Sequence, residues 1–145
     1  MEIFGENNVE IHSIPRKPSI VDYLRTRINL KKLITLHGYL RILPEDLFPY
    51  LEGAVFNGHP GLITVYPELK GFNKQEDVAG NQEKYPYCGS VVHKVIPELD
   101  AGDVVSAYQV VNRANTIDEA YAILRETSLN SWIHFFTNIW KFDKK

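Results

Sequence analysis

The chain has 145 residues, enough for one domain of common size with a core of its own. With 44% hydrophobic residues, 23% charged residues and a net charge of −2, it has an ordinary globular composition and lacks the basic excess of a nucleic-acid surface. Cys88 is the only cysteine, which excludes an intrachain disulfide; neither a membrane-length apolar run nor a signal-peptide pattern is present, so no membrane partner and a cytoplasmic location are expected.

In chain order, Val9–Ile14 alternates as a short strand, and Ile14-Pro15-Arg16-Lys17-Pro18 is a stiff connector because each proline fixes φ and biases its predecessor toward extended backbone. Ser19 caps a predicted helix to about Leu30, with Ile20, Tyr23, Leu24 and Ile28 at helical spacing. Leu33–Leu36 reads as a buried parallel strand ending at His37-Gly38, Pro44 opens a short helix through Phe48 and Tyr50, and Ala54–Phe56 is the next strand. Strand, short helix, strand is the pattern of an open α/β sheet. Asn57-Gly58-His59-Pro60-Gly61 follows where the second of these strands stops.

Residues Tyr66–Tyr87 are polar and poor in apolar periodicity, and are expected to form a mobile loop with one helical turn near Lys74–Val78. Ser90–Ile96 alternates, with Val91, His93 and Val95 on one face and Val92, Lys94 and Ile96 on the other; Val104–Val111 is a further strand beyond the Asp100-Ala101-Gly102 turn. Thr116-Ile117-Asp118-Glu119 is a capping box. It opens a helix running close to Trp140, with Ile117, Ala120, Tyr121, Leu124, Trp132, Phe135 and Ile139 against the sheet. An aromatic stripe at that spacing reads as core, not as a cofactor box. Residues 1–145 contain no internal repeat and read as a single α/β domain.

In open α/β sheets, ligands sit outside the carboxyl ends of the parallel strands, where His37–Leu43 and Asn57–Gly61 fall; the Ile96–Gly102 turn joins them if its strand runs antiparallel. Asn57, His59 and Asp100 are the residue types that acyl transfer between nitrogens requires. An amide or an imidazolium donates to the developing oxyanion, an imidazole or a carboxylate moves the proton, and a carboxylate beside His59 favours its charged form. Each piece has a plainer reading. An Asn-x-His loop is usually a turn with local hydrogen bonds, Asp100 before Ala101-Gly102 is a turn residue, and His93 in a strand is a satisfied structural histidine. Arg41 suits a surface salt bridge, and no metal-ligand spacing or phosphate loop is present in the sequence.

Taken as an ordered set, His37-Gly38-Tyr39-Leu40-Arg41-Ile42-Leu43, Asn57-x-His59-Pro60, Tyr66-Pro67-x-Leu69, Gly89-Ser90-x-Val92-His93 and Glu98-Leu99-Asp100-x-Gly102 resemble the folate-dependent formyltransferase family, its phosphoribosylglycinamide branch in particular. The resemblance runs from about Val9 to Trp140. It implies a Rossmann-like, three-layer open sheet that lacks the family's first strands. It implies a co-substrate, 10-formyltetrahydrofolate, and a small-molecule amine as acceptor. It also implies Asn57, His59 and Asp100 as the catalytic trio, with Leu40, Arg41, Leu43, Ile96, Pro97, Glu98 and Leu99 lining the folate pocket and His93 behind them.

Three departures carry expectations of their own. Gly61 stands where the family has Ser and Thr64 where it has Pro, so the loop after His59 is expected to be looser; the Tyr66–Tyr87 region is longer than the family's. The family's first strands and acceptor-phosphate loop have no counterpart, which leaves the Leu33–Leu36 strand with an open apolar edge. Such edges associate, so a homodimer or a relocated Val9–Ile14 strand is expected. The same trio serves a formyltetrahydrofolate hydrolase, with water in place of the amine, and a non-catalytic folate- or partner-binding remnant is the third reading.

Overall fold

The computed structural model describes residues 33–37, 43, 45, 48, 55–71, 74–98 and 100–139. The predicted strand Val9–Ile14, the helix after Ser19 and most of the short helix after Pro44 lie outside them, as do Leu40, Arg41 and Leu99. Four strands form one sheet in the order β1 (Ile34–Leu36), β2 (Val55–His59), β3 (Tyr87–Lys94) and β4 (Val104–Val111). β1 and β2 are parallel, and the other two neighbours are antiparallel. The Thr116 side chain accepts from the Glu119 amide at 3.2 Å and opens helix α1 (Ile117–His134), which continues as a π-helical turn over Phe135–Ile139.

β3 is the axis of the molecule. Cys88–His93 is buried on both faces, because β2 and β4 flank the strand and both faces are covered. Ser90 and Val92 face α1. Ser90 Oγ donates to the Leu124 carbonyl at 2.9 Å, and Val92 packs with Phe56, Trp132 and Phe135. Gly89, Val91 and His93 face the other way, where the Leu62 side chain lies against Gly89 and Leu69 joins the Val91 cluster.

The buried side of α1 is more polar than its apolar stripe predicts. Ile117 and Ile139 are exposed, whereas Thr127 and Ser131 are buried beside Ala120, Leu124 and Trp132. Ser106 Oγ donates to the Ser131 carbonyl at 2.8 Å, and Ser90 and Thr127 hydroxyls meet at 2.9 Å. Small hydroxyl residues let the helix backbone come close to the sheet while every hydroxyl keeps a partner. Gly58 serves the same close approach on β2: a Cβ there would lie 2.7 Å from the Trp132 indole nitrogen.

The segment expected to be a loop with one helical turn near Lys74–Val78 has that turn, and three of its residues are built into the core. It forms two 3₁₀ turns, Pro67–Leu69 and Lys74–Val78, and buries Leu69, Val78 and Tyr85. Its apolar residues are too widely spaced to show a period, but three of them reach one cluster. Asn112, just past β4, stitches it down: its amide donates to the Val78 and Tyr85 carbonyls at 2.8 and 2.9 Å, and its carbonyl accepts from the Ala114 amide at 3.1 Å. The turn after His59 likewise puts Leu62 and Ile63 in the core, with the Tyr66 amide on the Leu62 carbonyl at 2.8 Å and Thr64 and Val65 exposed.

Two stability tests follow from this packing. Asn112→Ala strands the Tyr85 carbonyl and the Ala114 amide, while the Val78 carbonyl keeps the Asn81 amide at 3.3 Å; it is expected to cost about 2–4 kcal/mol in urea unfolding at about one to three per unsatisfied group, with some recovery by water. Gly58→Ala is expected to cost about 1–3 kcal/mol through overpacking against Trp132, and to move the indole fluorescence of the native state.

Candidate active site

β2 and β3 bring the site together by register. Asn57 pairs with His93 and His59 with Val91, so Asn57, His59, Val91 and His93 share the face of the sheet away from α1. The third partner arrives from an unexpected direction. Because β3 is antiparallel to β2, it leaves the sheet at the end where β2 begins, with the Val95 amide on the Val55 carbonyl at 2.9 Å. The following turn must fold back across the face to reach His59. Two local features allow this. Asp100 takes the left-handed conformation at φ 51°, which aspartate tolerates better than most residues. Gly102 lies so close to the Lys94 carbonyl that a Cβ would come within 1.6 Å of its oxygen.

The result is a carboxylate between two imidazoles, all three side chains buried. Asp100 Oδ2 lies 3.6 Å from His59 Nδ1, and Oδ1 lies 3.5 Å from His93 Nε2. The Gly71 amide donates to Oδ2 at 2.8 Å. His59 Nε2 is 2.8 Å from the Leu69 carbonyl, which can only accept, so that nitrogen carries a proton and Nδ1 faces the carboxylate. His93 Nδ1 donates in the same way to the Lys94 carbonyl at 3.1 Å. Burial pushes His93 toward its neutral form. The backbone of one short stretch, Leu69 to Gly71, thus holds both the histidine and the carboxylate.

Of the residues picked from sequence, Asn57, His59 and Asp100 fall on one face, with His93 in direct contact with Asp100. Leu43 is buried, and Ile96, Pro97 and Glu98 are exposed on the turn that carries Asp100. His37 turns away: its ring sits 4.5 Å from Trp132 and its Nε2 bonds the Thr35 hydroxyl at 3.0 Å. The Leu69 carbonyl and Gly71 amide were not legible, because main-chain groups leave no mark in sequence. No group of three or more potential metal ligands occurs among the described residues.

An open mixed sheet with a histidine at the carboxyl end of a parallel strand and a buried carboxylate folded back onto it is a Rossmann-like α/β arrangement, with the histidine where such sheets place their ligands. A family model described as formyl transferase matches residues 16–133. The chain is 30% identical over 121 residues to the phosphoribosylglycinamide formyltransferase of Haemophilus influenzae, an alignment covering 83% of this chain and 51% of that protein. It superposes on the crystal structure of the Streptococcus pneumoniae phosphoribosylglycinamide formyltransferase with a TM-score of 0.62 and 27% identity, over 79% of this chain and 61% of that one. A formyltetrahydrofolate deformylase from Pseudomonas syringae shares the fold at a TM-score of 0.59 and 22% identity, over 70% of this chain and 33% of that one. The chain belongs to the formyl transferase family, and spans about half the length of the Haemophilus relative, 51%.

The turn geometry makes a paired test. Gly102→Ala is expected to cost at least about 1–3 kcal/mol in thermal unfolding, since the clash is with main chain that cannot rotate away. At buried Gly61 a Cβ would lie 3.4 Å from His59 Cδ2 and Leu69 Cβ, which is ordinary contact, so Gly61→Ser is expected to cost less than Gly102→Ala in the same measurement.

Proposed function

We propose that this protein transfers a formyl group from 10-formyltetrahydrofolate to the amine of a small molecule, with Asn57, His59 and Asp100 as its catalytic residues. The observation that carries the reading is the buried His59–Asp100 pair, Nδ1 to Oδ2 at 3.6 Å, on the face that also bears Asn57. The co-substrate supplies an activated formyl group on nitrogen. The chain must then stabilise negative charge on the formyl oxygen and move one proton from the incoming to the departing nitrogen. Asn57 donates its amide to that oxygen. His59 takes the second donor position and the mobile proton once its Nε2 leaves the Leu69 carbonyl, with Nδ1 facing Asp100. Asp100 balances the charge that His59 gains.

Fit to a folate is supported by the surroundings of the pair. Ile96, Pro97 and Glu98 form an exposed rim, apolar with one acid, directly ahead of the buried carboxylate. Such a rim suits the flat face and N–H groups of a heterocycle. We place Leu40, Arg41, Leu43 and Leu99 in the same pocket by family resemblance. The remaining parts of the reading are a cytoplasmic protein, without nucleic-acid or membrane partners, whose β1 edge is covered by a second copy or by the chain itself. No helix among the described residues is long and apolar enough to cross a membrane.

Calorimetric titration with a stable 10-formyltetrahydrofolate analogue tests the site: saturable binding is expected, weakened in Asp100→Ala. Formyl release measured with and without candidate amines tests the reaction. Release that requires an amine, lowered about 10²–10³-fold in Asn57→Ala, supports transfer. Release at full rate into water would make the protein a hydrolase, and binding without release would leave a folate-binding module.

A further inference from the structure

His93 presents an unanswered proton count. Its Nε2 is the one buried side-chain nitrogen or oxygen among the described residues without a hydrogen-bond partner. It points at Asp100 Oδ1 from 3.5 Å, too near for a water between them. Its Nδ1 hydrogen is committed to the Lys94 carbonyl. With a neutral ring and an ionised carboxylate, two lone pairs would face each other in a buried site. Flipping the tautomer only moves the conflict to Lys94. Adding one proton removes it.

We propose that His93 is a positioning residue whose Nε2 shares a single proton with Asp100 Oδ1, so that the carboxyl is held with Oδ2 turned toward His59. The two carboxyl oxygens then have separate tasks. Oδ1 is tied to His93, while Oδ2, braced by the Gly71 amide, is the one that meets the histidine of the proposed reaction. The groups that reach His93 electrostatically are Asp100 from the turn, His59 from β2 and Lys70 from the stretch after the first 3₁₀ turn. Asp100 is the only one of these that draws a proton to the ring; His59 and Lys70 oppose it. This inference rests on the reading of Asp100 as a catalytic carboxylate, but the proton itself can be observed without turnover.

The test has two arms on the full chain. In the first, the ring nitrogens of ¹⁵N-histidine-labelled protein are followed by long-range ¹H–¹⁵N correlation in the native chain and in Asp100→Asn. The shared proton is expected to place the native Nε2 signal between those of a bare and a protonated ring nitrogen, and Asp100→Asn to move it. A native Nε2 that already reads as bare and is unmoved in Asp100→Asn overturns the proposal, whether or not the chain is active. In the second arm, formyl release is measured against pH for His93→Gln and His93→Leu. Gln offers Oδ1 a permanent amide donor, so it is expected to keep the rate within about 3-fold and flatten the pH profile. Leu is expected to lower kcat about 10–100-fold with KM little changed. A Leu variant that folds and keeps the native rate and pH profile overturns the proposal; if Leu fails to fold, the Gln profile decides, since a purely structural His93 would leave that profile's shape unchanged. Absence of formyl release in the native chain counts against the proposed function, and the first arm then decides the proton alone.

Discussion

The structure turns on one buried carboxylate. Taking an aspartate out of water costs several kcal/mol unless its charge is met, and hydrogen bonds and charge partners must supply what water gave. Asp100 meets this demand with the Gly71 amide and two imidazoles drawn from β2 and β3. Those partners come from three stretches of chain that have little reason to meet otherwise. The antiparallel register of β2 and β3 brings His59 and His93 to one face, the 3₁₀ turn at Pro67–Leu69 brings the main chain over them, and the turn after β3 lays Asp100 between. If any one of these is displaced, the carboxylate is left short of partners, so the site and its supports stand or fall together.

Strain is concentrated where this demand is strongest. Asp100 is the one non-glycine residue with positive φ among the described residues, and Gly102 sits in van der Waals contact with the Lys94 carbonyl. A left-handed aspartate costs on the order of 1–3 kcal/mol where the surroundings over-determine it. The core on either side can absorb that cost. β3 is buried on both faces, and Asn112 ties the Lys74–Tyr85 stretch to the end of β4 with two hydrogen bonds, to the Val78 and Tyr85 carbonyls. Rigid packing around a strained turn is how a catalytic group is kept in one orientation without a ligand to hold it.

How much of this could be read from the residues depended on whether the signal was local. The strands around Leu33–Leu36, Val55, Ser90–Lys94 and Val104–Val111 announced themselves by β-branched runs, and the Thr116 capping box marked the start of α1 to the residue. The Asn57, His59 and Asp100 set was legible because those residue types stand in a family order. The Tyr66–Tyr87 stretch hid its core role because its polarity is real but its three anchors, Leu69, Val78 and Tyr85, are separated by seven to nine residues, and the last two bond through a distant asparagine. On α1, Thr127 and Ser131 count as polar in any periodicity, yet they are buried because the sheet supplies partners one hydroxyl at a time. The approach of the Asp100 turn from the far end of β2 follows from strand direction, which composition does not encode.

Under the proposed function, the division of labour in the site bears on how one framework could serve more than one acceptor. Everything that fixes the proton chemistry among the described residues is intramolecular: main-chain groups at Leu69, Gly71 and Lys94 orient the two imidazoles and the carboxylate before any ligand enters. Electrostatic preorganisation of this kind does not depend on what donates the nucleophile. The formyl group needs the same oxyanion donor and the same proton relay whether an amine or water attacks. The choice between them then falls to elements that shape the entrance and exclude solvent, and those elements can change in length or composition without disturbing the buried pair. On the roles proposed for His59 and Asp100, a change of acceptor therefore requires rebuilding only the rim.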